Sequence, residues 1–352
     1  IRFSSGTTGK PKGIFHTVGA WNGIGNEYQW VTPTLDERDV YLAAGPLTHA
    51  AVIFLWPVLQ VGGRVAVMDA FEPGRALRLI ETERATVTLM VPTMIQVMVA
   101  HPDVATRDLS SLRCLNYAAS PISEKTMNRA LEVFGDGVLY QMYGQSEGVP
   151  VTMLLPHQHR THPRSVGRAT PNCRITVVDD DGRPLPPGET GEIAALMPGR
   201  MTALWEDAAG TAARLLPDGS VLTRDMGWVD ADGFLFLADR KEDMIISGGY
   251  NIWPAELEHV LTTHPAVSEA CVVGVPHEKW GETPVAVVVL EPGASVGADD
   301  LIALTRERAG AVKKVSAVEF ADALPKSPIG KVLRREVRAQ WWAGHDVQVS
   351  GA

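Results

Sequence analysis

Cysteine is scarce. Cys114, Cys173 and Cys271 stand far apart without any C-x-x-C spacing, so neither a zinc site nor a disulfide framework is implied, and a reducing cytoplasm is the expected compartment. Long apolar runs are also missing. The longest, residues 50–62, is interrupted by Pro57 and falls well short of the ~20 residues that span a bilayer, so no transmembrane segment is expected. Basic charge is in deficit: 32 Lys and Arg against 41 Asp and Glu give a net charge of −9. With no long basic run to redress it, nucleic acid is not an expected partner. Repeats and low-complexity tracts are absent. A chain of 352 residues that is 45% apolar and 21% charged is globular in composition rather than disordered, collagenous or coiled coil, and long enough for two domains. It opens at Ile1 with neither an initiator Met nor a signal peptide, which leads us to expect a chain cut from a longer one.

What is present changes texture along the chain. From Val40 to about Val151, short apolar strands (residues 65–68, 86–91, 112–118 and 138–142) alternate with helical stretches (75–84, 93–100 and 123–134). This alternation predicts a largely parallel sheet covered by helices. From Ser165 to Leu237, strand-like runs are separated by turn pairs at Asp181-Gly182, Pro187-Gly188, Asp218-Gly219 and Asp232-Gly233, which predicts a β-rich subdomain. After the charged cluster at 239–243 the pattern becomes a helix opened by Pro254, strands at 270–275 and 284–290, a helix at 299–308 and a short strand near Val318. The predicted fold class is α/β: a large amino-terminal domain of α/β layers plus a β-rich subdomain, followed by a small α+β domain.

Five segments carry candidate chemistry. Residues 4–13, Ser-Ser-Gly-Thr-Thr-Gly-Lys-Pro-Lys-Gly, supply backbone N–H groups, hydroxyls and charge suited to a polyphosphate, or form a surface turn. They are not a Walker-type loop, because Ser4 occupies the first glycine position and Pro11 follows the lysine. Pro46-Leu47-Thr48-His49 places an imidazole before an apolar run. Tyr143-Gly144-Gln145-Ser146-Glu147 follows a buried strand, where α/β ligand sites collect; a Tyr ring can stack on a base and a carboxylate can hold Mg²⁺. Asp225 offers a carboxylate acceptor and Arg240 a fixed fork of donors, which by themselves read as a turn residue and a surface charge. Lys331 stands on a Pro/Gly-shaped loop before a basic helix. Each segment alone also reads as a solvated turn or a structural residue.

Together and in this order, the five segments closely resemble the motifs of the adenylate-forming enzymes: acyl-CoA synthetases, aryl-CoA ligases, luciferases and peptide-synthetase adenylation domains. The resemblance covers the whole chain and implies an adenylation core at 1–239 and a swivelling carboxy-terminal domain at 240–352. It implies nucleotide contacts from Ser5, Gly6, Thr7, Thr8, Gly9, Lys12, Tyr143, Gly144, Ser146, Asp225 and Arg240, and a metal ligand in Glu147. It makes Lys331 the adenylation lysine and places His49 at the wall between acyl pocket and nucleotide. Ala118, Ala119, Ser120 and Val149 would line that pocket, Gly248 and Gly249 the coenzyme A channel, and Glu242 would be the hinge. Two positions depart from the usual pattern: Ser146 stands where Thr is common, and Arg224 where Gly is common. Family members usually carry a further α/β subdomain before the phosphate loop, so the first subdomain is expected to be missing here.

The implied activity is that of an acid–thiol ligase using Mg²⁺, ATP and coenzyme A. The pocket segments are small and apolar, with no Arg or Lys for a second carboxylate and no Asp for an amino group. A monocarboxylic acid, fatty or aromatic, is therefore the expected substrate. The alternatives are a catalytically impaired nucleotide-binding fragment and an adenylation domain loading a carrier protein. Homodimerisation is left open.

Overall fold

The computed structural model describes residues 1–4, 12–327 and 332–342. Two compact units emerge, one formed by residues 1–223 and 227–237, the other by 224–226 and 238–352.

The first unit begins with a hairpin of β1 (Arg2–Ser4) and β2 (Lys12–Phe15), followed by α1 (Val18–Val31), β3 (Val40–Ala43), α2 (Val52–Gln60), β4 (Arg64–Val67), α3 (Pro73–Thr82), β5 (Val87–Met90), α4 (Pro92–Val99), β6 (Cys114–Tyr117) and α5 (Glu124–Phe134). Local chemistry sets these helices. Glu72 caps α3 by accepting from the backbone of Gly74 and Arg75 with Pro73 in its first turn, and Ser123 caps α5 by accepting from Thr126 N. Strands β3, β5 and β6 are buried throughout, as parallel strands covered on both faces must be. Alternate residues of β3 enter two cores. Val40 and Leu42 join Ala76, Leu77, Ile95 and Leu131 from α3–α5, whereas Tyr41 and Ala43 join Ile24, Tyr28, Ile53 and Phe54 from α1 and α2.

β7 (Leu139–Gln145), β8 (Gly148–Leu154), β9 (Ser165–Ala169), β10 (Arg174–Val178), β11 (Gly191–Leu196), β12 (Ala203–Leu204), α6 (Ala208–Ala212), β13 (Val221–Val229) and β14 (Phe234–Arg240) follow. The eleven-stranded sheet runs β10-β11-β13-β14-β9-β8-β7-β6-β5-β3-β4. It is parallel from β4 to β7 and antiparallel at β7–β8 and β8–β9. The α/β region and the β-rich region are thus halves of one continuous sheet rather than separate subdomains. All four predicted turn glycines have positive φ, between +76° and +87°.

The second unit holds β15 (Ile245–Ser247), β16 (Tyr250–Ile252), α7 (Pro254–Thr262), β17 (Val267–His277), β18 (Gly281–Leu290), α8 (Ala298–Ala309), β19 (Ala317–Phe320) and α9 (Arg334–Trp342). Its sheet runs β16-β15-β18-β17, with β19 parallel to β18. Alternation again divides the burial: Val272, Ala286 and Val288 pack with Leu257, Leu261 and Leu301 of α7 and α8, while Val273, Val285 and Val287 pack with Val337 of α9. The charged cluster at 239–243 takes regular structure. It is the end of β14 followed by a 3₁₀ turn at Lys241–Asp243.

Candidate functional site

In the first unit, β1 and β2 pair with Ser4 opposite Lys12. Ser5, Gly6, Thr7, Thr8 and Gly9 lie outside the described residues; Lys12 opens β2. The next anchor is His16, whose Nε2 donates to the Ser146 carbonyl at 2.8 Å. Burial depresses the His16 pKa, against the pull of its carbonyl contacts, so the ring is held neutral.

β7 extends through Tyr143 and Gly144 to Gln145, and Ser146-Glu147 is the two-residue turn into β8, with Gln145 opposite Gly148. Three further contacts clamp this turn. Met201 N donates to the Glu147 carbonyl at 2.6 Å, Gly148 bridges to Arg200, and Gln145 Nε2 donates to Thr223 O at 2.9 Å. Tyr143 is buried, and Glu147 is only 8% exposed. Among the described residues, the ion partner of the Glu147 carboxylate is Arg214, with Nη2 3.8 Å from Oε1.

Ala118 and Val149 share one core with Ile53, Phe54, Met142 and Met153, and Leu47 and Ala50 pack against it. Ala119 is exposed with φ +76°, Ser120 is half-buried, and His49 lies exposed in the turn before α2, its Nδ1 bonded to Thr48 Oγ1 at 2.9 Å. Ala118 and Val149 are therefore together, while Ala119 points to solvent. Asn116 is fully buried; its Nδ2 donates to Met153 Sδ at 3.7 Å and its Oδ1 has no partner among the described residues.

In the second unit, Asp225 and Arg240 form an ion pair at 2.7 Å. The preceding Arg224 takes φ +64° and its Nε donates to Glu242 Oε1 at 2.9 Å. Burial raises the Glu242 pKa, but the Arg224 bond, a backbone hydrogen bond and the charges of Arg224 and Arg240 together outweigh it and leave the carboxyl below its usual range. Gly248 (φ +57°) and Gly249 (φ +86°) join Ser247 to its partner Tyr250, a two-residue hairpin that requires positive φ at both positions. Gly248 N donates to Trp280 O at 3.0 Å.

Lys331 lies outside the described residues. On either side of it, Lys326 bridges to Val332 and Leu333 N donates to Pro325 O at 2.8 Å. Arg334 follows, its guanidinium reaching Asp239 (3.2 Å), Asp243 (3.1 Å) and Glu258 (2.6 Å). Burial disfavours its charge, yet the three carboxylates lift its pKa above the ordinary value. Burial, with Asp239 beside it, pushes the Glu258 carboxyl up despite Arg334. Both directions follow from three acids sharing one cation.

Residues 1–205, more than half of the chain, match the AMP-binding enzyme family, and residues 256–331 match the AMP-binding enzyme C-terminal domain. The chain belongs to the AMP-binding enzyme family. It is similar to the medium/long-chain-fatty-acid–CoA ligase FadD8 of Mycobacterium tuberculosis, at 37% identity over 98% of this chain and 61% of that protein. It is also similar to a feruloyl-CoA synthase of Streptomyces sp, at 39% identity over 97% of this chain and 69% of that protein. The amide bond synthetase McbA from Marinactinospora thermotolerans superposes with a TM-score of 0.90 at 34% identity, over 96% of this chain and 68% of McbA. The chain thus spans roughly two thirds of the length of these AMP-binding enzymes.

The donor set of this AMP-binding enzyme suits Mg²⁺. Among the described residues no group of three or more His, Cys, Asp or Glu could hold a metal ion alone. Among the described residues the buried Glu147 carboxylate has Arg214 no closer than 3.8 Å, and a carboxylate so placed could serve as an oxygen ligand to a hard cation. Two residues at this turn, His16 and Arg214, belong to no segment singled out in the sequence. No periodicity or spacing marks them, since both reach it through tertiary contacts.

Proposed function

We propose that this chain activates a monocarboxylic acid, fatty or aromatic, with Mg·ATP and passes the acyl group to coenzyme A. The substrate carboxylate oxygen attacks the α-phosphorus, the bond to the bridging oxygen breaks, and pyrophosphate leaves; the thiol sulfur then attacks the acyl carbonyl, and AMP departs. In this reading Glu147 holds the metal, which offsets charge on the β- and γ-phosphates. Lys331 bridges the attacking carboxylate and the α-phosphate, Asp225 and Arg240 take the ribose hydroxyls, and Tyr143 and Ser146 address the base and the α-phosphate. Ser5 to Gly9 and Lys12 cradle the polyphosphate, with positioning and electrostatics carrying the rate. Gly248 and Gly249 would line the thiol channel, and Glu242 would serve as the hinge between the half-reactions. A cytoplasmic location, where ATP and coenzyme A are both at hand, is part of the proposal.

The observation that carries this reading is the clamped Ser146–Glu147 turn, which presents a buried carboxylate directly before the strand that supplies Val149 to the apolar core containing Ala118. The segments around it, residues 49–54, 116–121 and 145–149, carry no Arg or Lys, which favours an acid with one carboxylate. The test is ATP–pyrophosphate exchange over a panel of aliphatic and aromatic acids, with thioester formation measured alongside. Exchange that requires an apolar monocarboxylic acid is expected. ATP binding without acid-dependent exchange for any member of the panel would overturn the proposal in favour of a nucleotide-binding protein.

A further inference from the structure

Arg214 follows α6 and is held in place through its backbone: its N–H donates to Thr211 O at 3.1 Å, its carbonyl accepts from Leu222 N at 2.8 Å, and the next residue, Leu215, bridges to Val221. Its side chain is 16% exposed, with Nη1 donating to Leu222 O at 3.3 Å and Nη2 3.8 Å from Glu147 Oε1. That separation is wider than a hydrogen bond. A guanidinium and a carboxylate withdrawn from water ordinarily close into direct contact, as Arg113 does on the buried Asp39 at 2.5 Å. Arg214 and Glu147 face each other without closing, which leaves donors on one side and lone pairs on the other.

The local charge points the same way. Arg2 lies within electrostatic reach of Glu147 and is half-buried beside Trp21. Among the described residues, these two guanidiniums around one carboxylate leave a surplus of one positive charge. Positive charge taken from water requires a compensating anion, and a polyphosphate sharing a cation with Glu147 supplies one. An oxygen of such a group fits between the two side chains: it meets the metal on the Glu147 side and a forked donor on the other.

We infer that Arg214 is a phosphate-binding residue of this site, contacting the β- and γ-phosphates and the departing pyrophosphate rather than the AMP half. The inference rests on the reading of Glu147 as the metal ligand. Calorimetric titration of the 352-residue chain with inorganic pyrophosphate, ATP and AMP, each with and without Mg²⁺, tests it without requiring turnover. Arg214→Met should weaken pyrophosphate and ATP by about ten- to a hundredfold, the range for losing a charge-assisted hydrogen bond, and leave AMP affinity unchanged, while Arg214→Lys recovers part of the loss. Unchanged AMP binding also reports a folded site. Equal weakening of AMP and pyrophosphate, or no weakening of either, would overturn the inference. Glu147→Gln separates the two ideas: if it abolishes the Mg²⁺ dependence of ATP binding while Arg214→Met is silent, only the role of Arg214 fails. If the Mg²⁺ dependence survives Glu147→Gln, the metal assignment fails.

Discussion

Arg224 occupies a backbone conformation that costs glycine nothing and other residues about 1 kcal/mol or more. The left-handed φ of +64° is kept despite the side chain, and the pair with Glu242 gives that side chain a fixed partner. The neighbouring Asp225 is likewise committed, to Arg240. At the same scale, His159 should contribute to an acid transition. Its ring is fully buried, Nδ1 donates to the Leu155 and Pro156 carbonyls, and Nε2 has no partner among the described residues. Burial depresses its pKa below 6.5, as it does for His16. A histidine with a depressed native pKa binds protons more readily in the unfolded chain, so the stability it contributes is present above about 6.5 and is lost as pH falls through the lower native value. The melting temperature should therefore drop as pH is lowered below about 7, and His159→Asn, which keeps a donor near Nδ1 but cannot be protonated, should flatten that slope. An identical slope in the variant, read by thermal melts across the range, would show that His159 is not responsible. Residues such as Glu147 and Asp225 were singled out in the sequence because they lie in motifs of fixed spacing. His16 and Arg214 were not, because their relation to residues 146 and 147 exists only after folding.

Elements were legible where local chemistry decides them. Ser123 and Pro254 mark helix starts, and the Asp-Gly pairs mark turns whose glycines have positive φ. The hairpin of β7 and β8 was not, because every residue of β8 is buried and it contains Pro150; an unbroken apolar run reveals neither a solvent face nor a pairing direction. The continuity of the large sheet depends on β8 pairing with β9 and β9 with β14, contacts remote in sequence. The same hairpin gives a test of the acyl pocket. Ala118 is buried in the core that Val149 enters from β8, whereas Ala119 is exposed. Ala118→Trp should reduce kcat/KM for bulky acids far more than for acetate or propionate, and overpacking should lower stability by ~1–3 kcal/mol; Ala119→Trp should change stability much less. Kinetics over the acid panel with parallel melts check both, and an unchanged order of preference after Ala118→Trp would move the pocket elsewhere.

For the whole molecule, two units with separate cores carry one set of motifs in sequence order. Family membership rests on residues 1–205 and 256–331, and no helix among the described residues is long and apolar enough to cross a membrane. The activity proposed here depends most on Lys331, which lies between the bridged residues Lys326 and Val332 in sequence and is followed by Arg334 on its three carboxylates. A lysine that serves only adenylation contributes to one transition state and not to the other. The decisive measurement is of both half-reactions on the unaltered chain and on Lys331→Ala: acid-dependent ATP–pyrophosphate exchange, and conversion of a supplied acyl adenylate and coenzyme A to thioester. Exchange should fall by at least about 10²–10³, the loss typical of removing one preorganised donor to developing charge, while thioester formation persists. Equal slowing of the two steps would make Lys331 a structural residue and contradict the proposed division of labour.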